Sequence, residues 1–283
     1  MSRDGNNPNK AAAGVKLPGA QMCVITHLPN RNGYHADRFD VVRACLRSMR
    51  ARAGVNHSVM VWDNGSMPEF RDWLQEVYKP DNLVLSVNVG KTNARTMIAR
   101  MHHPDTIIGI ADDDMYFYHD WLKTSIQLLK GFPNCGVVSA YPVRTQFRWG
   151  CKNTIEWCRK NGEVETGKII DEQWDRDFCT SVGREYEYQI NTTLNDYDYV
   201  VKYKGLEAFA TAHHCQYVCY AGLLAKFPEW TNKMLSPERD LDDAIDNAGY
   251  LRLTTRQRLS RHMGNILDED IREDALKSGF LED

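Results

Sequence analysis

The apolar run Ile107-Ile108-Gly109-Ile110-Ala111 is followed at once by Asp112-Asp113-Asp114. An apolar strand that ends in three carboxylates concentrates negative charge at one strand terminus, and a folded chain must set something positive against it. Carboxylate oxygens at that density are hard ligands suited to Mg²⁺ or Mn²⁺, ions that keep water sites and bind through one or two carboxylates together with substrate phosphates. A solvated acidic turn is the plainer reading of an isolated Asp cluster. The surrounding pattern decides between the two.

Met22 to Thr26 is a short apolar run with β-branched residues, consistent with a buried strand. From Asp37 to Arg52, the apolar Phe39, Val42, Cys45, Leu46 and Met49 recur at helical spacing while Arg43, Arg47 and Arg50 fill the other face. Ser58 to Trp62 reads as a second strand running into the turn Asp63-Asn64-Gly65-Ser66, after which Pro68 opens a helix to Tyr78. Leu83 to Val87 is a third strand, a helix spans Thr92 to about His102, and Thr106 to Ala111 is the fourth strand. A helix from His119 to about Lys130 and a strand from Cys135 to Ala140 follow. Strand alternating with helix predicts an α/β fold: a mostly parallel central sheet flanked by helices, with its ligand crevice beyond the carboxyl ends of the strands. Asp63 and the acidic triplet both fall at such ends.

The second half is less regular. From Arg144 to about Tyr203 the chain is rich in aromatic and charged residues, and Tyr186–Gln189 with Tyr197–Tyr203 alternate as an antiparallel hairpin would, turning at Asn195-Asp196. His213-His214-Cys215 with Cys219 invites a zinc reading, which the absence of a second ligand pair at finger-like spacing disfavours. Ser236 to Tyr250 reads as a capped helix closed by Gly249, with carboxylates in its first turn where the macrodipole favours anions. A strand from Tyr250 to Thr254 precedes Arg261-His262-Met263-Gly264-Asn265, and Asp268 to Asp283 reads as a solvated acidic helix or tail.

At 283 residues and 42% hydrophobic content the chain can bury a substantial core. Its net charge of −3 provides no global basic field for nucleic acid or anionic membrane. Arg144, Arg148, Lys152, Arg159 and Lys160 remain as a candidate local basic track. The polar first twenty residues lack the apolar segment of a secretory signal, and no run approaches the roughly 18 to 20 residues of a membrane span. These features predict a cytoplasmic protein without integral membrane contact, whose eight cysteines stay as thiols.

In order and spacing, four local patterns resemble those of a GT-A glycosyltransferase, closest to the large inverting family 2, over about residues 20 to 265. They are the strand end Thr26 to Pro29, the turn Asp63-Asn64-Gly65-Ser66, the segment Asn88-Val89-Gly90-Lys91-Thr92-Asn93-Ala94-Arg95, and Asp112-Asp113-Asp114 as the Asp-x-Asp metal motif. The resemblance implies a GT-A (Rossmann-like) sheet with an acceptor-side subregion containing antiparallel strands. It divides the chain into a flexible tail (1–20), a nucleotide-sugar-binding half (21–141), an acceptor-binding and catalytic half (142–265) and an acidic end (266–283). It also implies transfer of a sugar from a nucleotide-diphosphate donor, UDP-sugar favoured, to a hydroxyl acceptor by inverting single displacement, with Mn²⁺ or Mg²⁺ as cofactor. By the same resemblance Asp112, Asp114 and His262 form the metal set: Asp114 is the direct ligand, Asp112 contacts the ribose or a metal-bound water, and His262 completes the shell. Asp63 accepts a hydrogen bond from the base edge and Arg95 holds the nucleotide, with Thr26, Pro29, Asn64, Gly90, Asp113 and Gly222 as further donor-site positions. Asp240 is the first choice for the base that deprotonates the acceptor, with Glu238, Asp242 and Asp243 as alternatives. An Asx-turn role for Asp63, a retaining mechanism, and a nucleotide-sugar-binding protein without turnover stay open. So do the oligomeric state and the acceptor: a glycan, metabolite, protein or hydroxylated DNA base.

Overall fold

The computed structural model describes residues 19–191, 197–227 and 238–282. Four parallel strands form one end of the main sheet: β1 (Ala20–Thr26), β2 (His57–Asn64), β3 (Asn82–Ser86) and β4 (Ile107–Asp112), in the order β3-β2-β1-β4. The helices between them are α1 (Arg38–Ala51), α2 (Pro68–Trp73, continued by a π-type turn over Leu74–Tyr78) and α3 (Lys91–Met101). Next come a short strand β5 (Met115–Phe117), helix α4 (Trp121–Gly131) and strand β6 (Cys135–Ser139). The region that follows comprises α5 (Lys152–Asn161), β7 (Glu163–Gly167), α6 (Glu172–Ser181), α7 (Tyr186–Asn191), β8 (Asp198–Tyr203) and β9 (Leu206–Phe209). The chain then forms β10 (Gln216–Tyr220), α8 (Ala221–Leu224), α9 (Glu238–Asn247), β11 (Leu251–Thr255), β12 (Ser260–His262) and α10 (Glu269–Lys277).

The full sheet has ten strands, ordered β3-β2-β1-β4-β10-β6-β11-β9-β8-β7. β10 runs antiparallel between β4 and β6, β6 and β11 are parallel, and β9, β8 and β7 form an antiparallel end. Residues of β1 alternate between two cores because successive side chains point to opposite faces. Met22 and Val24 join Leu46, Met49, Phe70, Trp121 and Phe209 on one side; Cys23 and Ile25 join Ala94, Ile98, Leu223 and Ile245 on the other. α1 and α3 therefore lie on opposite faces beside the same strand ends.

Three expectations are corrected. Tyr186–Gln189 lies in helix α7 rather than a strand; β8 pairs instead with β7 and β9, and the proposed turn at Asn195-Asp196 lies outside the described residues. The acidic end is not merely solvated, since α10 inserts Ile271 and Ala275, followed by Phe280 and Leu281, into the larger core. Arg144 is no part of a basic track: it is buried, with Nε 3.0 Å from Asp198 Oδ1 and Nη1 3.5 Å from Asp175 Oδ2. The cysteines, as expected, are all free and buried. No helix among the described residues is long and apolar enough to cross a membrane.

The Arg144 cluster yields two predictions. Asp198 is fully buried and also accepts from the backbone N–H groups of Ile169 and Ile170, so Arg144→Met leaves a buried carboxylate without its cation. The expected loss is about 3–5 kcal/mol in denaturant unfolding, and a loss below about 1 kcal/mol contradicts it. Burial pushes the Asp175 carboxyl up to about 6. Because the folded value exceeds the unfolded one, this group's contribution to stability is highest below about pH 4 and falls as pH rises through about 6. Asp175→Asn keeps an oxygen for the Arg144 N–H and should flatten that part of the stability-versus-pH curve, on the order of 3 kcal/mol, measured by melts between about pH 4 and 7.

Candidate active site

At the end of β4 the three aspartates are divided among different partners. Asp112 Oδ1 lies 2.7 Å from Lys91 Nζ at the start of α3. Asp113 is buried and paired with Arg38 of α1, and the His27 N–H also donates to it at 3.3 Å. The same Arg38 donates to Asp114 Oδ2 at 3.0 Å and to the Gly264 carbonyl at 3.1 Å.

The two-stranded ribbon β5–β12 brings a distant histidine to this corner. Its register sets His262 opposite Met115, and the Met263 N–H donates to the Asp114 carbonyl at 2.8 Å. His262 Nε2 then lies 3.5 Å from Asp114 Oδ1, a buried oxygen that receives no hydrogen bond. His262 Nδ1 is 2.8 Å from Ser181 Oγ, while that hydroxyl donates its single proton to the Phe178 carbonyl at 2.8 Å. Ser181 accepts from the ring, so Nδ1 carries a hydrogen and Nε2 is the nitrogen turned toward Asp114. Gly264, at φ +68°, lets the chain leave the ribbon against Ser181; a Cβ there would stand 2.2 Å from the Ser181 carbonyl oxygen. A buried carboxylate oxygen without a hydrogen bond beside an imidazole nitrogen suits a divalent cation, with the ring oriented by the hydrogen bond at its other nitrogen.

A second grouping lies beside the first. Lys91 and Arg95, one turn apart on α3, both reach Glu238 Oε1, at 3.1 and 2.8 Å. Burial alone would raise the Glu238 carboxyl, but Lys91, Arg95 and His214 hold it well below the usual carboxylate range. Asp112 and Glu238 likewise outweigh burial at Lys91 and keep its ammonium charged. His214 Nε2 is 3.1 Å from Glu238 Oε2, and Nδ1 is 3.2 Å from Asp242 Oδ2. The other Asp242 oxygen meets the buried Arg252 at 2.5 Å.

The structure does not bring every expected residue here. Asp240 is exposed and sits about 200° around α9 from Glu238, so it faces away from Lys91, Arg95 and His214. Asp243 is turned to the loop before α5, where it accepts from the Gly150 N–H at 2.9 Å. Asp63 is fully buried: its oxygens accept from the Ser66 N–H, from Arg71 Nε at 2.7 Å and from Thr26 Oγ1 at 3.4 Å, which favours the turn-forming role over a base-edge contact. Asn64 ties the end of β2 to the next loop, accepting from the Val89 N–H at 2.8 Å and donating to Asn88 Oδ1, which also accepts from the Gly90 N–H. Pro29 is half-buried in the loop after β1. Asp113 is turned inward onto Arg38. Gly222 lies at the opposite end of the strands, because β10 runs antiparallel and carries it to Pro104, whose carbonyl accepts the Gly222 N–H at 2.9 Å. His213, His214 and Cys215 do offer ligand atoms within 4.8 Å of one another, but His214 is held by two carboxylates and His213 Nδ1 accepts the Cys215 N–H.

Four contributors went unassigned in the sequence. Arg38 looks like any other arginine of an amphipathic helix, and Ser181 like any helix-end serine. Lys91 lies inside a quoted motif, and the His213-His214 pair suggested only metal. Each acquires meaning from a partner far along the chain.

None of the curated proteins compared matches the chain. Solved structures do. The mannosyltransferase PcManGT from Pyrobaculum calidifontis, in complex with GDP-Man and Mn²⁺, is 20% identical, with 47% of this chain and 38% of that chain covered and a TM-score of 0.34. S. aureus TarS 1–349 is 16% identical, with 43% and 34% covered and a TM-score of 0.34. GalNAc-T7 with UDP, GalNAc and Mn²⁺ is 9% identical and covers 87% of this chain and 43% of that chain, with a TM-score of 0.51, a likeness of fold alone. The chain spans less than half the length of each of these structures. The model of the family described as "Glycosyl transferase family 2" matches residues 28–188, from the loop after β1 through the acidic triplet and into α7. With more than half of its length inside that match and a GT-A sheet around it, the chain belongs to glycosyl transferase family 2.

Proposed function

We propose that this glycosyltransferase moves a sugar from a nucleoside-diphosphate sugar, a UDP-sugar by preference, to a hydroxyl acceptor by inverting single displacement. One observation carries the reading: Asp114 Oδ1, buried and without a hydrogen bond, faces His262 Nε2 at 3.5 Å beyond the end of β4. These two residues would hold Mn²⁺ or Mg²⁺, which when bound supplies a Lewis acid for the charge growing on the departing diphosphate. GalNAc-T7, of similar fold, holds UDP and Mn²⁺, which supports the choice of donor and ion.

Lys91 and Arg95 supply the rest of the positive charge. In the structure Asp112 and Glu238 neutralise them, so a diphosphate entering the crevice meets two oriented cations already gathered on one face of α3. In this reading Asp112, at the end of β4, contacts the ribose. The proton acceptor belongs to the cluster formed by the start of α9 and the segment facing it, where Glu238, His214 and Asp242 meet.

The test is release of nucleoside diphosphate from a panel of UDP- and GDP-sugars with and without Mn²⁺, followed by an acceptor screen with the best donor. Proton NMR of the product's anomeric centre reports inversion, and a retained configuration sinks single displacement. Asp114→Ala should abolish Mn²⁺-dependent turnover without changing the melting transition; wild-type turnover in that variant removes the metal assignment. Ser181→Ala removes the hydroxyl that fixes the His262 tautomer and should weaken Mn²⁺ binding by about 10- to 100-fold in an EPR titration. Unchanged affinity there would show that the ring needs no such orientation.

A further inference from the structure

Glu238, His214 and Asp242 stand in a row. Both nitrogens of His214 lie within hydrogen-bond reach of carboxylate oxygens, 3.1 Å on the Glu238 side and 3.2 Å on the Asp242 side. A carboxylate only accepts, so the row offers an acceptor to each ring N–H: Asp242 to Nδ1–H, and Glu238 to Nε2–H once the imidazole has taken up a proton.

Burial gives the row a direction. The Asp242 side chain is 6% exposed and fixed from behind by Arg252, whereas the side chains of His214 and Glu238 are 20% and 23% exposed toward the crevice. Asp242 therefore keeps a hydrogen on Nδ1, and the proton that comes and goes is the one on Nε2. Glu238, with Lys91 and Arg95 on its other oxygen, is a poor proton acceptor. It is well placed to accept a hydrogen bond from a newly formed Nε2–H.

We propose that His214 Nε2, oriented by Asp242, is the base that takes the acceptor's hydroxyl proton. The proposal rests on the transfer reading above. The ring begins the cycle neutral, with Nδ1–H on Asp242. As the acceptor oxygen forms its bond to the anomeric carbon, the bond from that carbon to the diphosphate oxygen breaks and its electron pair leaves with the diphosphate. The hydroxyl proton passes to Nε2. Both carboxylates then hold the imidazolium, which later returns the proton to solvent. Asp242 acts through the ring as a positioning residue, and Glu238 stabilises the charged product of the step. The groups that bear on the ring are Glu238 and Asp242 from α9 and His213 and Cys215 from its own segment. Lys91 and Arg95 of α3 and Arg252 of β11 are set against those carboxylates.

The experiment uses the full chain loaded with Mn²⁺ and measures single-turnover release of UDP from UDP-sugars, or GDP from GDP-sugars, with water as acceptor, across a pH series. His214→Gln should lower the rate by about 10²- to 10⁴-fold and remove the acid limb of the pH profile, while UDP affinity and the melting transition stay at the wild-type value. His214→Asn is the second variant should Gln not fold, with the same expectation. Asp242→Asn should slow release less, and combined with His214→Gln should add no further loss. A His214 variant within threefold of wild type overturns the assignment. So does an acid limb that survives in His214→Gln and disappears in Glu238→Gln, which moves the base to Glu238. A wild-type protein that binds UDP and Mn²⁺ but releases nothing from any donor overturns the transfer reading and, with it, the base; wild-type turnover with an indifferent His214 overturns the base alone.

Discussion

Three carboxylates in succession repel one another, and the site depends on how the fold separates them. The pleat of β4 sends Asp112, its last residue, to the face covered by α3, and the turn that follows sets Asp113 against Arg38 of α1. Lys91 neutralises the first, and Arg38 the second. Asp114, in the same turn, shares Arg38 through one oxygen and turns the other to His262. Removing a cation from such a pair leaves a charge stranded in a poorly hydrated place, at a cost of several kcal/mol. The two helices on opposite faces of the sheet are thus conditions for the acidic triplet as much as neighbours of it. Arg38 also reaches the Gly264 carbonyl, so one guanidinium ties the strand end to the turn after His262.

The imidazole side of the site is organised in layers. β12 delivers His262, the backbone bond from Met263 to Asp114 locks the delivery, and Ser181 at the end of α6 sets the tautomer. Behind the ring lies Phe178, with its ring centroid 6.2 Å away, and His213 packs against Phe178 and Tyr141. Burial, together with the neighbouring His214 and His262, holds the His213 ring well below its usual value. It is accordingly a neutral ring set near two imidazoles that have different partners.

The fold was legible where the signal was local. The strands that became β1 to β4, and the amphipathic helix α1, announce themselves by runs and spacings that need no distant partner. β7 does not: Glu163-Val164-Glu165-Thr166-Gly167 is an edge strand with mostly exposed side chains, and nothing in its composition marks it. Tyr186 and Tyr188 alternate like a strand but sit on a helix, where Tyr186 lies against the Arg176 guanidinium at 3.9 Å. The same division holds in the site. Asp114 and His262, which the fold sets 3.5 Å apart, could be named because a triplet at a strand end and a histidine two residues before a glycine are short patterns. Asp240 could not be ruled out from sequence, because acids at 238, 240, 242 and 243 occupy several angular positions on one helix. Choosing among them requires knowing which face meets Lys91 and His214. His214 itself was hidden, since its meaning comes from two carboxylates on a helix that follows it in the chain.

One strand has consequences for how the molecule is made. β4 and β6 are not neighbours; β10, which arrives some eighty residues after β6 in the chain, lies between them and pairs with both. Until it does, β4 presents a bare edge, and edges of that kind recruit other chains. The half that carries the acidic triplet therefore cannot complete its own sheet, and formation of the crevice waits on a contact of long sequence separation, which loop-closure entropy makes slow. During synthesis the acidic corner emerges from the ribosome well before the strand that closes the sheet beside it. The interval between the two is the period in which the nascent chain is most exposed to misassociation.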